Sequence, residues 1–318
     1  MITKNIDKAI TLLNQENIIA IPTETVYGLA GNIFSEIALK KIFELKNRPF
    51  NNLLIVHVKS IDQIQKIASE IPEIAFKLVE KFWPGPLTLV LKKQPHISDL
   101  VTANKDTVAI RMPNHKRTLE LLQKLDFPLA APSANPFGSI SPTSSKHVLD
   151  YFNDKLELIL EGGNCEEGIE STIIGFEDNQ VVLYRHGSIT IDEIEKVVGK
   201  ITDNSKNDID PKAPGMFSRH YAPKTDTFLT NNVVELIKSF PNQKIGLLLF
   251  QNDIKNPSIK YQEILSKSGD LSEAARNLYA AMHRLDEKNI DIIIAEIMPD
   301  SGLGRTMNDR LQRAIKKS

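Results

Sequence analysis

The chain has 318 residues, 41% of them hydrophobic and 25% charged, and its 39 lysines and arginines nearly cancel its 40 acidic residues. That is an ordinary globular composition, long enough for two domains of roughly 150 residues each. A net charge of −1 excludes a polybasic field for nucleic acid or a membrane surface, so any attraction for phosphate must be local.

A single cysteine, Cys165, excludes an intrachain disulfide and a cysteine-rich metal site, and fits a reducing, cytoplasmic compartment. The N-terminal stretch is polar and amphipathic, without a signal-peptide core, and no apolar run approaches the ~20 residues that span a bilayer. Over the first 200 residues helix-like and strand-like segments alternate, which predicts an α/β fold. Ile6, Ala9, Ile10 and Leu13 recur at helical spacing, and residues 18–21 read as a short buried strand. Ile37, Ile42, Phe43 and Leu45 mark a second helix capped by Ser35. Residues 53–58 read as a strand carrying His57. Ile74, Leu78, Val79 and Phe82 form a helix face, with Pro72 in the first turn and Pro84 and Pro86 ending it. Segments 87–91, 108–111, 158–160, 171–176 and 181–184 are strand candidates. Thr190 and Glu193 form a capping box for a helix through Val198.

Residues 201–209 are polar and aperiodic and read as a linker. Residues 211–223 are proline-rich but carry Met216, Phe217, His220 and Tyr221, for which a free linker has little use. Beyond them lie a strand at 244–250, a helix through Leu271, Ala275, Leu278, Met282 and Leu285, and a strand at 291–297. A last helix on Leu311, Ala314 and Ile315 completes a small three-layer domain.

Two short motifs frame a candidate site. Lys46 and Arg48 stand one residue apart, as do Ser133 and Asn135, and such pairs on extended segments point the same way. A charged pair for phosphate and a hydrogen-bonding pair for sugar or phosphate oxygens suggest a nucleotide site built from two distant loops. Cations at a helix C-terminus are also ordinary dipole partners. Thr23, Thr25 and Tyr27 alternate and would face one side of an extended edge; the alternative is a polar turn. His57 is either a satisfied core residue or a ligand contact. Arg111 ends an apolar strand and, if buried, needs an anion: a structural carboxylate or a substrate carboxylate. Segment 161–174 places Ser171 at a strand start, among acidic residues able to hold magnesium through water or simply to solvate a turn. Arg185 ends another strand. Most of these groups fall at predicted strand ends, where open α/β sheets bind ligands. No Walker or dinucleotide glycine motif, His/Cys metal cluster or nucleophile elbow is present in the sequence.

In order and spacing, PTETVYGLAG, KNRP, NNLLIVHV, WPGPLTLVL, VAIRMP, APSAN, SPT, GIEST and YRHG resemble the YrdC-like fold. PGMFSRHYAPK and GLGRTMNDRLQRA resemble the long, two-domain form of the threonylcarbamoyl-AMP synthase family, so the resemblance covers nearly the whole chain. It implies a twisted open mixed sheet with helices and a smaller Rossmann-like three-layer α/β C-terminal domain. The implied limits are 1–200, a linker and lid at 201–225, and 226–318. It also implies a nucleotidyltransferase that turns L-threonine, bicarbonate or carbon dioxide, and ATP into L-threonylcarbamoyladenylate and pyrophosphate, for modification of tRNA position 37.

By the same resemblance Thr25, His57, Arg111, Ser171 and the backbone of Ala131 hold L-threonine. Arg48, Asn52, Thr107, Ser133, Ser141 and Arg185 hold ATP, Lys46 and Asn135 support them, and Tyr221 covers the nucleotide. Lys46 and Arg48 position phosphates; no protein nucleophile is expected, and a magnesium ion is expected with ATP. Segment 211–223 would fold back as a lid, with Met216 and Tyr221 over the site and Gly215 as hinge. The implied partners are the substrates and a downstream threonylcarbamoyl-transfer machinery, with tRNA contact at most weak and no membrane. A competing RNA-binding reading of the same cations meets the objection of the neutral net charge. Carbamoyl-transfer domains of hydrogenase maturation factors carry zinc-finger cysteines that this chain lacks.

Overall fold

The computed structural model describes residues 1–178, 180–205, 214, 220–256 and 259–315. Gly215 and Met216, expected as hinge and lid, lie outside the described residues. Among the described residues twelve strands form one mixed sheet and four form a second. Across the large sheet the path runs Ile2–Thr3, Ile159–Leu160, Ile19–Ile21, Gly28–Asn32, Leu129–Ala130, Ile55–His57, Thr107–Arg111, Leu87–Lys93, Thr172–Glu177, Gln180–Arg185 and Thr202–Asp203. Ala68–Glu70 pairs with Leu87–Lys93 off this path.

Alternation along these strands separates two faces. Val56, Val58, Leu87, Leu89, Leu91, Val108 and Ile110 share one core with buried side chains of the helices Glu36–Lys46 and Glu73–Phe82. Ser35 caps the first of these helices by accepting from the Ala38 amide, and Asn47 ends it in the left-handed region. Leu39, Ile42 and Phe43 are buried on its inner face, each contributing about 1.5–3 kcal/mol. The other face of the sheet carries Ile55, Val90, Ala109 and Ile173, and by the same alternation His57, Thr88 and Arg111.

The expected extended edge over Thr23, Thr25 and Tyr27 is not there. Residues 24–26 form a bend, and the strand follows at Gly28–Asn32. That strand, GLAGN, has too few large side chains to read as one. Its pairing with Ile19–Ile21 and Leu129–Ala130 makes it a strand, a tertiary override of weak local propensity.

The second sheet is all parallel, in the order Asp226–Thr230, Ile292–Glu296, Ile245–Leu249, Tyr261–Ile264. Leu248, Ile293 and Ala295 pack with the helices Leu271–Asp286 and Leu303–Ala314, while Leu247, Leu249 and Ile294 pack beside the helix Val233–Lys238. The first of these cores also takes in Val26, Ile140, Ile169 and Tyr221, so the two domains share an apolar joint. Gly168, at φ +72, lets its loop touch the helix backbone, since an added Cβ would lie 2.3 Å from the Arg276 carbonyl oxygen. No helix among the described residues is long and apolar enough to cross a membrane.

Candidate active site

The open face of the large sheet forms the floor of a cavity. His57 and Arg111 are register partners on adjacent parallel strands, and Ile55, two residues before His57, lines the same space. Arg111 donates to Thr25 Oγ1 at 2.9 Å and to the Gly85 carbonyl at 3.2 Å. Its Nη2 also lies 2.6 Å from Glu24 Oε1. That approach is off the hydrogen-bonding direction, so neither Glu24 oxygen accepts a hydrogen bond. Of the two expected partners of a buried Arg111, the structure supplies the structural carboxylate, Glu24, in a poor fit. Burial, then the Arg111 charge, pushes His57 down to about 3, so its imidazole is neutral. Nδ1 sits 3.3 Å from the Ile55 carbonyl, leaving Nε2 as the nitrogen without a protein partner.

The two motif loops form one wall. Lys46 is buried at the end of its helix, and its ammonium donates to the carbonyls of Ser133 and Asn135, both at 2.5 Å. Asn135 donates to the carbonyls of Pro136 and Ser139 at 3.0 and 2.9 Å. Both residues therefore brace the Ser133 loop, and neither lines the cavity. Arg48 and Ser133 do line it. Arg48 donates to the Leu53 carbonyl at 2.8 Å, leaves Nε unpaired, and sits 5.8 Å from the Phe137 ring centroid.

The opposite wall comes from Glu170, Ser171 and Arg185, with Pro214, His220 and Tyr221 beside them. Arg185 donates to the Ser171 carbonyl and hydroxyl at 2.8 and 3.0 Å and to the Pro214 carbonyl at 3.1 Å. Tyr221 is buried at φ 62, and its hydroxyl has no partner.

These walls concentrate positive charge. Burial and the neighbouring Arg48 hold Lys46 well below its usual value, and burial lowers Arg48 to about 10. Burial, Arg48, Lys46, Arg185 and Arg310 together keep His220 neutral. Among the described residues Lys46, Arg48 and Arg185 form no salt bridge. Buried like charges without carboxylates are costly unless an anion joins them. The cavity measures about 50 Å³, room for a few waters, whereas pockets for larger ligands run to ~300–1,000 Å³.

Several expected contacts are placed elsewhere. Thr107 opens the strand that Arg111 ends, four residues or ~13 Å away, and borders a separate surface hollow with Asp106 and Tyr184. Asn52 turns back onto the Pro49 carbonyl. Ser141 is fully buried, and its hydroxyl donates to Glu170 at 2.6 Å. Tyr27 leaves the Thr23–Thr25 pair and bonds Gly162 and Gly163 instead. The cavity gathers Thr25, Arg48, His57, Arg111, Ala131, Ser133, Ser171, Arg185 and Tyr221. Sequence reasoning missed Glu170, His220 and the Arg111 partner Glu24. Each lies within or beside a motif already singled out, which was the available signal.

The fold and this geometry define a two-domain α/β protein with a buried, cation-lined cavity between a mixed sheet and Pro214, His220 and Tyr221. The family model described as "Telomere recombination", of the Sua5, YciO and YrdC group, matches residues 11–187. The model described as "Threonylcarbamoyl-AMP synthase, C-terminal domain" matches residues 189–315. The chain is 40% identical to the threonylcarbamoyl-AMP synthase of Pyrococcus abyssi, across 95% of this chain and 91% of that protein. It is 39% identical to the one from Bacillus subtilis, across 97% and 92%. The crystal structure of P. abyssi Sua5 complexed with L-threonine superposes with a TM-score of 0.91 at 38% identity, across 98% of this chain and 96% of that one. The chain belongs to the threonylcarbamoyl-AMP synthase family.

Proposed function

We infer that the cavity converts L-threonine, bicarbonate or carbon dioxide, and ATP into L-threonylcarbamoyladenylate and pyrophosphate. The observation that carries this reading is the set of buried cations without carboxylate partners, Lys46, Arg48 and Arg185, gathered around a space whose far end holds Arg111, Thr25 and His57. One end suits an amino acid and the other a polyphosphate.

The threonine amine, as the free base, adds to carbon dioxide and releases one proton to water, leaving a carbamate. A carbamate oxygen then bonds to the α-phosphorus as the bond from that phosphorus to the pyrophosphate oxygen breaks. Neither step needs a protein nucleophile; both need alignment and stabilisation of spreading negative charge. Arg111 receives the threonine carboxylate, aided by its poorly seated contact with Glu24. Neutral His57 and Thr25 read the threonine hydroxyl, the kind of contact that rejects valine strongly. Ser171 and the Ala131 backbone complete that end. Arg48, Ser133 and Arg185 take the phosphates, while Lys46 and Asn135 shape the loop that carries Ser133. Tyr221 covers the nucleotide.

Pro214, His220 and Tyr221 wall the cavity, and as a cover over the nucleotide they would exclude water from a labile mixed anhydride. This wall belongs to the linker of a chain we divide at 1–200, 201–225 and 226–318. Among the described residues no cluster of His, Cys, Asp or Glu is placed to hold a metal. Glu24 and Glu170 face Arg111 and Arg310. The residues do not fit a protein-held magnesium; the ion belongs to MgATP as substrate. The adenylate passes to a transferase machinery that modifies tRNA position 37 in the cytoplasm.

Pyrophosphate release should require both threonine and bicarbonate. It should be nearly lost in Arg48→Ala and strongly reduced in Ser133→Ala; full activity in both variants would discredit the site.

A further inference from the structure

Arg310 is the largest fully buried side chain among the described residues, and it comes from the second domain, in the helix Leu303–Ala314. The function proposed above leaves it unused. Its guanidinium reaches three segments of the cavity wall at once. Nε donates to Glu170 Oε2 at 2.8 Å, and Nη2 donates to the His186 carbonyl at 2.6 Å. Its carbon lies 4.8 Å from the Tyr221 ring centroid. Nη1 is held by Asp309 at 2.5 Å.

Each contact neighbours a cavity residue. Glu170 precedes Ser171, and His186 follows Arg185. Tyr221 itself lines the cavity, its hydroxyl unpartnered. One turn earlier on the same helix face, Thr306 donates to the Gly187 carbonyl at 3.1 Å. Gly187 lies flat against the next strand, since an added Cβ would sit 2.2 Å from the Thr172 amide nitrogen. Tyr279, from the other interface helix, donates to Glu170 Oε2 at 2.9 Å and stacks on Tyr221 at 5.8 Å. A planar fork with several donors suits such a junction; a lysine, with a single ammonium, cannot span it.

We propose that Arg310 is a positioning residue for the nucleotide end of the cavity, aligning Arg185 and the Tyr221 ring from the second domain without touching substrate. The inference rests on the reading of that end as the ATP site. It gives the second domain a part in nucleotide binding through GLGRTMNDRLQRA, a motif otherwise without a task. The threonine end, Thr25, His57 and Arg111, has no contact with Arg310 and serves as the internal control.

The test is calorimetric binding of L-threonine and of a nonhydrolysable ATP analogue to the full chain, in wild type, Arg310→Lys and Tyr279→Phe. In Arg310→Lys the analogue should bind at least tenfold more weakly while threonine affinity stays within twofold. In Tyr279→Phe, which removes only one hydroxyl, the analogue should weaken about threefold and threonine should again be unchanged. Parallel losses of both ligands, or no loss of the analogue, overturn the proposal. If Arg310→Lys does not fold, Tyr279→Phe decides alone. A wild type that binds threonine but not the analogue would instead overturn the parent reading of an ATP site.

Discussion

The large sheet covers one face with helices and the other only at its Ile19–Ile21 end, under Ile6–Asn14 and Lys116–Lys124, leaving Ile55, His57, Thr88, Arg111 and Ile173 without a helix, whereas the four-stranded sheet is covered by helices on both faces. Coverage decides what a strand can carry. IVH and TVAIR each end on a buried polar residue, His57 and Arg111, because there that face meets a cavity. IGLLL, enclosed on both sides, is apolar throughout, as buried parallel strands are. Among the described residues the second domain places no residue of its sheet in the cavity. It acts on the cavity through the helix faces that bear Arg310, Thr306 and Tyr279.

The largest effects should come from the open face. Arg111→Ala and Arg48→Ala should each lower kcat/KM by at least ~10²–10³-fold, the scale for removing one aligned charged donor. Arg284→Ala, which breaks an outward-facing pair with Glu263 in the second domain, should change it less than about twofold. A large loss in Arg284→Ala would break the contrast between the domains. The two ends of the cavity can be separated in the same assay. Arg111→Ala should raise the threonine KM, and Arg48→Ala the ATP KM.

Ligand binding comes next. Filling a cation-lined cavity should stabilise the fold by about 2.7 kcal/mol at a hundredfold excess over Kd. A nonhydrolysable ATP analogue should therefore raise the thermal midpoint of wild type and leave that of Arg48→Ala nearly unmoved. An equal rise in both proteins would show that the analogue binds elsewhere.

Acid should act through buried histidines. His57 is pushed down to about 3 by burial and by Arg111, and His147 to about 3 by burial and by His283. Unfolded histidine titrates near 6.5. Below that pH the unfolded chain takes up protons that the folded chain refuses, so stability falls as pH drops from ~6.5 toward 3. At pH 5 the loss is about 2 kcal/mol for His57 alone. Glu170 and Asp309, held low by arginines against the effect of burial, act in the same direction only below the ordinary carboxylate range. Urea midpoints at pH 7.5, 6.5 and 5.5 should decline, and less steeply in His147→Gln. A flat profile would show that these histidines are protonated in the fold.

Local order was legible in the sequence: the Ser35 cap, the Thr190–Glu193 capping box and the apolar runs at 53–58, 87–91 and 244–250 all correspond to elements. Adjacency was not. The groups expected at strand ends are there, but nothing in the spacing of His57 and Arg111 says that their strands are neighbours in register, which is what brings the two ends together. Thr107 shows the converse. Four residues from Arg111 in sequence, it is carried to the other end of a rigid strand. Lys46 shares a motif with Arg48, yet helix geometry and the αL turn at Asn47 send its ammonium to the Ser133 loop. The partner of Glu170 is 140 residues away, and only the fold reveals it.

The smallest predicted effect distinguishes two contacts that both join the domains. Lys146 meets Glu287 at 3.6 Å with both side chains largely exposed, while Arg310 meets Glu170 at 2.8 Å in complete burial. Both are ion pairs across the same joint, so counting pairs would rank them equally. The exposed pair is screened by solvent and requires two long side chains to be ordered, and pairs of this kind contribute at most ~1 kcal/mol. Lys146 also has Asp150 at 2.6 Å as a second partner, so losing Glu287 leaves its charge compensated. Glu287→Gln should therefore leave the thermal midpoint within about a degree, and ATP and threonine KM values within twofold. Domain coupling here depends on buried, fully bonded groups and on the shared apolar core around Tyr221 and Tyr279. A Glu287→Gln variant with a selectively raised ATP KM would place the coupling on the surface and remove the distinction.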